Sequence, residues 1–159
     1  MKAIIIFFLY LFSTSSYSSD CKLIHFKDAS VRIPVNWNVK KNNNCLLIRN
    51  NHVNLLEFLR ICRVSSSEDS KYFTMNDDGE WVAVTDGIPV LADLNVTSKF
   101  AGMSAIVSCK YKDDAGYHTE QCFQAVVGLP QKISFIFTGR GDLNLFKDYK
   151  KVYLSFEVK

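Results

Sequence analysis

The chain has 159 residues, with 19 lysines and arginines against 16 aspartates and glutamates and 48% hydrophobic residues. A formal charge of +3 with no basic cluster longer than a pair excludes the electrostatic footprint of a nucleic-acid binder. The length and the lack of internal repeats point to one domain with a real core, and the five cysteines to one that disulfides reinforce.

Residues 1–18 have the layout of a secretory signal peptide. Lys2 precedes an apolar run from Ala3 to Phe12, and Ser16 and Ser18 stand at the two positions that a signal peptidase reads. The run is too short for a stable transmembrane helix and no second one follows; an uncleaved amino-terminal anchor is the alternative. Asp20 in front of Cys21 argues against a lipidated cysteine. Residues 19–159 are then a single exported domain, periplasmic or secreted, with no stable membrane insertion after cleavage.

Strand signals dominate from Cys21 onward. CKLIHF (21–26) reads as a strand. In SVRIPVNW (30–37), Val31, Ile33 and Val35 alternate with Arg32 and Asn36. Pro34 lacks an amide donor, so this strand lies at an edge or bends there. NVKKNNN (38–44) reads as a polar turn, and CLLIRN (45–50) as a strand. LLEFLRICRV (55–64) reads as a strand with Leu56, Phe58, Cys62 and Val64 on one face and Glu57 and Arg63 on the other; a helix from Asn54 is the alternative. SSSEDSKYFTMNDDG (65–79) is an exposed connection or short helix, and EWVAVTDG (80–87) a strand ended by Asp86-Gly87. Residues 88–103 carry no clear signal. Three strands of a meander follow, in 99–112, 118–130 and 132–141. Asp142 is a candidate N-cap for a closing amphipathic helix. Its apolar stripe is Leu143, Phe146, Tyr149, Val152/Tyr153 and Phe156, with Lys147, Lys150 and Lys151 outside. The fold class that results is α+β: an antiparallel sheet of about six to eight strands packed by a C-terminal amphipathic helix and reinforced by disulfides.

The most chemical stretch is SCKYKDDAGYHTEQC, Ser108 to Cys122. As a zinc site it lacks a Cys-x-x-Cys pair and a second histidine at ligand spacing. As a thiol nucleophile with His118 as base it lacks an orienting partner. A hairpin explains more, because Asp113-Asp114-Ala115-Gly116 suits a type I turn with a left-handed glycine and a three-residue loop. That loop sets Asp113 opposite Tyr117 and Cys109 opposite Gln121, which points Cys109 and Cys122 to opposite faces. A four-residue loop or a bulge near Gln121 would bring them together, and their proximity in an exported chain favours a Cys109–Cys122 bridge. Cys45 and Cys62, in neighbouring strands, are the natural second pair; Cys21 is then left over, with Cys21–Cys45 as the alternative pairing.

Other motifs have plain structural readings. Thr138 to Asp142, TGRGD, makes a turn with two glycines and a capping aspartate rather than an adhesion ligand. Asn95-Val96-Thr97 is a glycosylation acceptor in a eukaryote and otherwise loop. Ser104 lacks the second glycine of a nucleophile elbow and a matched His and Asp. Asp77 to Gly79 lacks calcium-loop spacing. His25, His52 and His118 are scattered, and Trp37 and Trp81 belong to the core or its rim. No catalytic residue, metal site or cofactor is expected.

The order of features is similar to small sheet-and-helix domains of the PsbP/Mog1-like type. There, an early strand carries an IP-x-x-W turn, here Ile33-Pro34-Val35-Asn36-Trp37, and the chain ends in a helix running into an SF, here Ser155-Phe156. The resemblance implies a non-enzymatic binding or assembly module. Size, export, added cysteines and near-neutral charge also resemble periplasmic immunity proteins in type. The expected function is an exported, non-enzymatic protein-binding domain, first of all an immunity-type inhibitor that occludes a toxin or effector. The alternatives are a PsbP/Mog1-like envelope assembly factor and a secreted enzyme with an unrecognised site. The expected partner is another protein and not nucleic acid. Its surface is expected at the hairpin tip, with Lys110, Lys112, Asp113, Asp114 and Tyr117, or on the polar loop 65–79.

Overall fold

The computed structural model describes residues 20–51, 56–65, 73–83, 88–113, 116–129 and 133–158. The predicted signal segment 1–18 lies outside them. Along the chain run β1 (Cys21–Phe26), β2 (Ala29–Pro34), β3 (Trp37–Asn42), β4 (Cys45–Asn50), β5 (Phe58–Ser65), β6 (Phe73–Met75) and β7 (Trp81–Ala83). Then come β8 (Ile88–Thr97), β9 (Gly102–Asp113), β10 (Gly116–Leu129), β11 (Ile133–Arg140), α1 (Leu143–Leu154) and β12 (Glu157–Val158). Nine strands form one sheet in the order β3-β4-β5-β11-β10-β9-β8-β7-β6, and β1-β2-β12 form a second. The predicted antiparallel sheet, closing helix and disulfides are present. The molecule is nonetheless mostly β; among the described residues the large sheet has nine strands, close to the expected six to eight, and β3, β6 and β8 are the ones without a clear strand signal.

Pro34 ends β2, as its missing donor requires, and the chain turns so that the Val35 amide donates to Asp20 O at 3.0 Å. The expected polar turn over 38–44 is instead most of β3. Trp37 is buried and Val39 half-buried, while the alternate residues Asn38, Lys40 and Asn42 face solvent. An edge strand with one wet face tolerates such a polar run. The 58–65 segment is a strand rather than a helix, but its buried face is Leu59 and Ile61, not Phe58 and Cys62. Leu59 and Ile61 lie opposite Ile48 and Leu46 on one side and Gly139 and Phe137 on the other.

Asp142 caps α1 as expected, its Oδ1 accepting from the amides of Asn144 and Leu145, both at 2.9 Å. The inward stripe is Leu145, Phe146, Tyr149, Val152 and Tyr153; Leu143, expected on it, is exposed. The helix does not close the chain, since β12 returns to pair with β2 through Glu157 and Ser30. At the helix C-cap the Ser155 hydroxyl donates to Val152 O at 2.6 Å and accepts the Arg32 amide at 2.8 Å, tying α1 to β2. Phe156 then enters the core beside Phe135, Phe137 and Phe100. The IP-x-x-W and SF positions are thus core anchors: Ile33, Trp37 and Phe156 are all buried, and Trp37 meets Tyr149 edge-on at 5.8 Å.

Helix and small sheet both cover one face of the large sheet, here called the inner face. Burying each large side chain there contributes about 1.5–3 kcal/mol. On the outer face, Phe73 of β6 packs with Ala105, Val107 and Cys122. β6 stands three strands from β9, so the sheet curls back over itself at that end. Register shifts in β8 between Val90 and Ala92 and between Ala92 and Asn95 supply the bend.

Candidate functional site

The hairpin holding the chemical stretch is tighter than its sequence suggests. Asp113 pairs with Gly116, so the loop is two residues long, and Cys109 faces Glu120 while Cys122 faces Val107. Moving the register by one relative to the three-residue loop turns both cysteines to the outer face, as diagonal neighbours with Cα atoms 6.0 Å apart, and they are bonded. Neither a longer loop nor a bulge is needed. Cys45 and Cys62 are directly opposite in the β4–β5 ladder, Cα atoms 4.1 Å apart, and form the second bridge. Cys21 stands exposed at the start of β1.

Of the expected recognition residues, Lys110 is exposed opposite Thr119, and the backbones of Lys112, Asp113 and Tyr117 lie in the hairpin ladder. Asp114 lies outside the described residues, as do 66–72 of the polar loop and His52. Of the rest, Ser65 ends β5, Phe73–Met75 is β6, and 76–79 form a turn in which Asn76 Oδ1 accepts the Glu80 amide at 2.8 Å. Among the described residues no three of His, Cys, Asp and Glu are grouped to hold a metal ion.

The TGRGD motif is taken apart by the fold. Gly139 and Arg140 belong to β11, and only Gly141, at φ +144°, makes the turn. Arg140 pairs with Glu120 at 3.0 Å while Asp142 caps the helix. Asn95 is exposed in strand β8, not in a loop. Trp37 is core, and His25 is exposed.

Ser104 is buried in β9, its hydroxyl without a hydrogen-bond partner. It borders a hollow of about 190 Å³ under the first turns of α1, with Ile106, Phe123 and Phe146 inside and Asp93, Lys147 and Lys150 among its lining. Among the described residues no histidine borders that hollow. Among the described residues, Tyr149 and Tyr153 are the groups whose ionisation is clearly disturbed. Burial raises both phenols far above the ordinary range, and Glu57, Asp142 and Asp148 raise Tyr149 further. Both hydroxyls donate to backbone carbonyls, Tyr149 to Arg140 O at 2.9 Å and Tyr153 to Val126 O at 3.2 Å, so they are structural donors.

The surface that sequence reading missed is the outer face of β3, β4, β5 and β11. Pairing registers lay it out in rows. One row runs Asn42, Cys45, Cys62, Ile136; the next Lys40, Leu47, Arg60, Thr138; in the third, Asn38 lies opposite Arg49 and Phe58 opposite Arg140. None of the described elements covers these rows, and Lys40 and Arg60 are exposed. The signal was present in the sequence as alternation: at one parity Asn38, Lys40, Asn42 and Leu47, Arg49 and Phe58, Arg60, at the other Trp37, Val39, Leu46, Ile48, Leu59 and Ile61.

An antiparallel sheet whose inner face is closed by a C-terminal helix and a small strand layer has the architecture of a PsbP-like domain. The solution structure of cyanobacterial PsbP (CyanoP) from Synechocystis sp. PCC 6803 matches over 91% of this chain and 96% of that one, with a TM-score of 0.51 and 10% identity. A crystal structure from Bacteroides thetaiotaomicron VPI-5482 matches over 83% of this chain with a TM-score of 0.49 and 16% identity; the chain spans 45% of the length of that protein. No family model matches the chain, and no curated protein sequence does. The likeness to CyanoP is one of fold.

Proposed function

We propose that this protein is an exported, non-enzymatic protein-binding module of PsbP-like type, which holds an envelope partner on the outer face of its large sheet. The observation that carries the reading is that open face. The inner face is sealed by α1 and the small sheet, whereas no described element roofs the outer rows of β3, β4, β5 and β11. A rigid sheet presenting an uncovered, mixed polar and apolar surface is the usual ground for a partner. Two disulfides fit assembly in an oxidising compartment, and none of the described helices is long and apolar enough to cross a membrane. Ser104, which borders a hollow, has no hydrogen-bond partner on its hydroxyl to act as a base among the described residues.

An immunity-type inhibitor would use the same face and differ in what its partner does. The test is a pull-down from periplasm and culture medium with the tagged, oxidised domain, co-purified proteins being identified by mass spectrometry. A stoichiometric envelope-assembly component is expected. A toxin-like hydrolase would replace that role with the immunity role, and no partner above the control bait would overturn the binding reading.

A further inference from the structure

We propose that the outer face of β3–β4–β5 is built to take an acidic, extended polypeptide segment bearing an apolar side chain. This rests on the protein-binding reading above and names the chemistry of the partner. Lys40, Leu47 and Arg60 stand side by side on three adjacent strands. At about 4.8 Å between strands, the Lys40 and Arg60 backbones are about 9.6 Å apart with Leu47 between them. Arg49 lies two residues along β4 from Leu47, about 6.8 Å away on the same face. Three cations therefore surround one apolar residue, with Phe58 beside them.

Among the described residues these charges have no ion-pair partner. The ion pairs among the described residues go to Arg63, Lys99, Arg140 and Lys151, and none to Lys40, Arg49 or Arg60. Arg140, the fourth cation of the face, is taken by Glu120 at 3.0 Å, which closes that corner. Arg49 Nε is in addition buried with no hydrogen-bond partner. Two shallow hollows of about 360 and 340 Å³ share Lys40, Leu47 and Arg49, and among the described residues no carboxylate lines either.

The spacing selects the occupant. A separation of about 7 Å matches carboxylates two residues apart on an extended chain rising about 3.3 Å per residue, which share one face. Asn38 and Asn42 also line the hollows, and their amides supply the paired donors and acceptors that peptide groups need. Leu47 and Phe58, half-buried, give an apolar floor for one side chain two residues from a carboxylate, on the same face of the segment. A nucleic-acid surface would continue the cations as a stripe; here they stop at three. A lipid surface would present protruding apolar side chains, and these lie between the charges.

The test uses the oxidised domain and fluorescence anisotropy with labelled ten-residue peptides carrying Glu-x-Glu-x-Leu, in which both glutamates and the leucine share one face of an extended chain. The expected result is binding of the glutamate peptide roughly tenfold tighter than its glutamine counterpart at low salt, with the preference shrinking as salt rises. The variant Lys40→Gln/Arg49→Gln/Arg60→Gln is expected to abolish the preference. Because Arg49 is half-buried, Lys40→Gln/Arg60→Gln, which changes exposed residues alone, is measured beside it and is expected to lose most of it. Lys147→Gln/Lys150→Gln, on the helix, is expected to change nothing. Equal binding of the glutamine peptide, or an undiminished preference in the exposed-pair variant, would overturn the proposal. So would tighter binding to anionic vesicles or single-stranded DNA than to the glutamate peptide. A pull-down partner that survives the exposed-pair variant would leave the binding module standing and remove it from this face.

Discussion

Gly139 offers a sharp test of how α1 seats on the sheet. A Cβ built there would stand inside van der Waals contact with Tyr149 Cδ2, 2.8 Å from Cε2 and 3.2 Å from Phe123 Cβ. The Tyr149 ring cannot swing away freely. It packs edge-on against Trp37 at 5.8 Å, lies against Phe123 and Phe146, and is held by its hydroxyl on Arg140 O. Overpacking of this kind costs about 1–3 kcal/mol, and the reduced freedom of the unfolded chain returns about 0.4–1 kcal/mol. Gly139→Ala is therefore expected to lower the unfolding free energy by about 1–2 kcal/mol. Gly128→Ala is the control: it sits in β10, and its Cβ would meet only Ala101 O, at 3.7 Å. That change should be neutral or stabilising by up to about 1 kcal/mol. Urea unfolding of the oxidised domain, followed by circular dichroism and tryptophan fluorescence, measures both. Repeating Gly139→Ala in a Tyr149→Leu background should shrink its cost, since the clash is with the ring. A Gly139→Ala domain as stable as the parent would refute the close seating of helix on strand.

Further outcomes follow from the helix ends and the buried phenols. Asp142→Ala removes the acceptor for two helix amides and should cost about 1 kcal/mol, with Asp142→Asn retaining most of the cap; equal losses for the two would count against the capping role. Ser155→Ala leaves the Arg32 amide without its acceptor and should cost about 1 kcal/mol in the same assay. For Tyr149 and Tyr153 the folded protein holds the neutral form to higher pH than the unfolded chain does. Above about pH 10 the unfolded state loses protons that the folded state keeps, so stability falls as pH rises, by about 1.4 kcal/mol per unit for each tyrosine. Ultraviolet titration should find these two phenols ionising only as the domain unfolds; early ionisation of all tyrosines in a folded domain would contradict their burial.

How far the sequence carried depended on whether a segment had one dry face or two. The helix was legible because its stripe is one-sided, and Asp142 marks its start; Leu143 is exposed where Leu145 takes the inward place, and Phe156 lies past the helix end. The hairpin register was not legible because Ser104, Ala105, Ile106 and Val107 are all buried, inner residues under α1 and outer ones under Phe73. With both faces dry there is no alternation to set parity, and turn chemistry alone chose the wrong loop length. In β3 the error had the opposite origin. Asn38, Lys40 and Asn42 are polar because their face is uncovered, and a run of polar residues was taken for a turn. The cations of the open face were invisible as a cluster because Lys40, Arg49 and Arg60 come from three strands and meet only through cross-strand register.

That same asymmetry accounts for where the disulfides lie. The inner face has the aromatic core, α1 and the small sheet to hold its strands in place. The outer face has the small cluster around Phe73 at one end, and no described element over β3, β4 and β5 at the other. An apolar layer there would add stability but bury Lys40 and Arg60. The Cys45–Cys62 bridge joins β4 to β5 across a separation of 17 residues and leaves the neighbouring row open. In the chain-entropy account such a loop contributes about 3 kcal/mol. Cys45→Ser/Cys62→Ser should therefore lower global stability by about that amount, and its local signature should be uneven. Amide exchange should quicken first in β4 and β5, around Leu47 and Arg60, while α1 and the β10–β11 ladder keep their protection. Affinity for the acidic peptide should fall with that loosening even though all three cations remain. Uniform acceleration of exchange across both faces, with peptide affinity unchanged, would mean that the bridge supports the fold as a whole and not the open face that it borders.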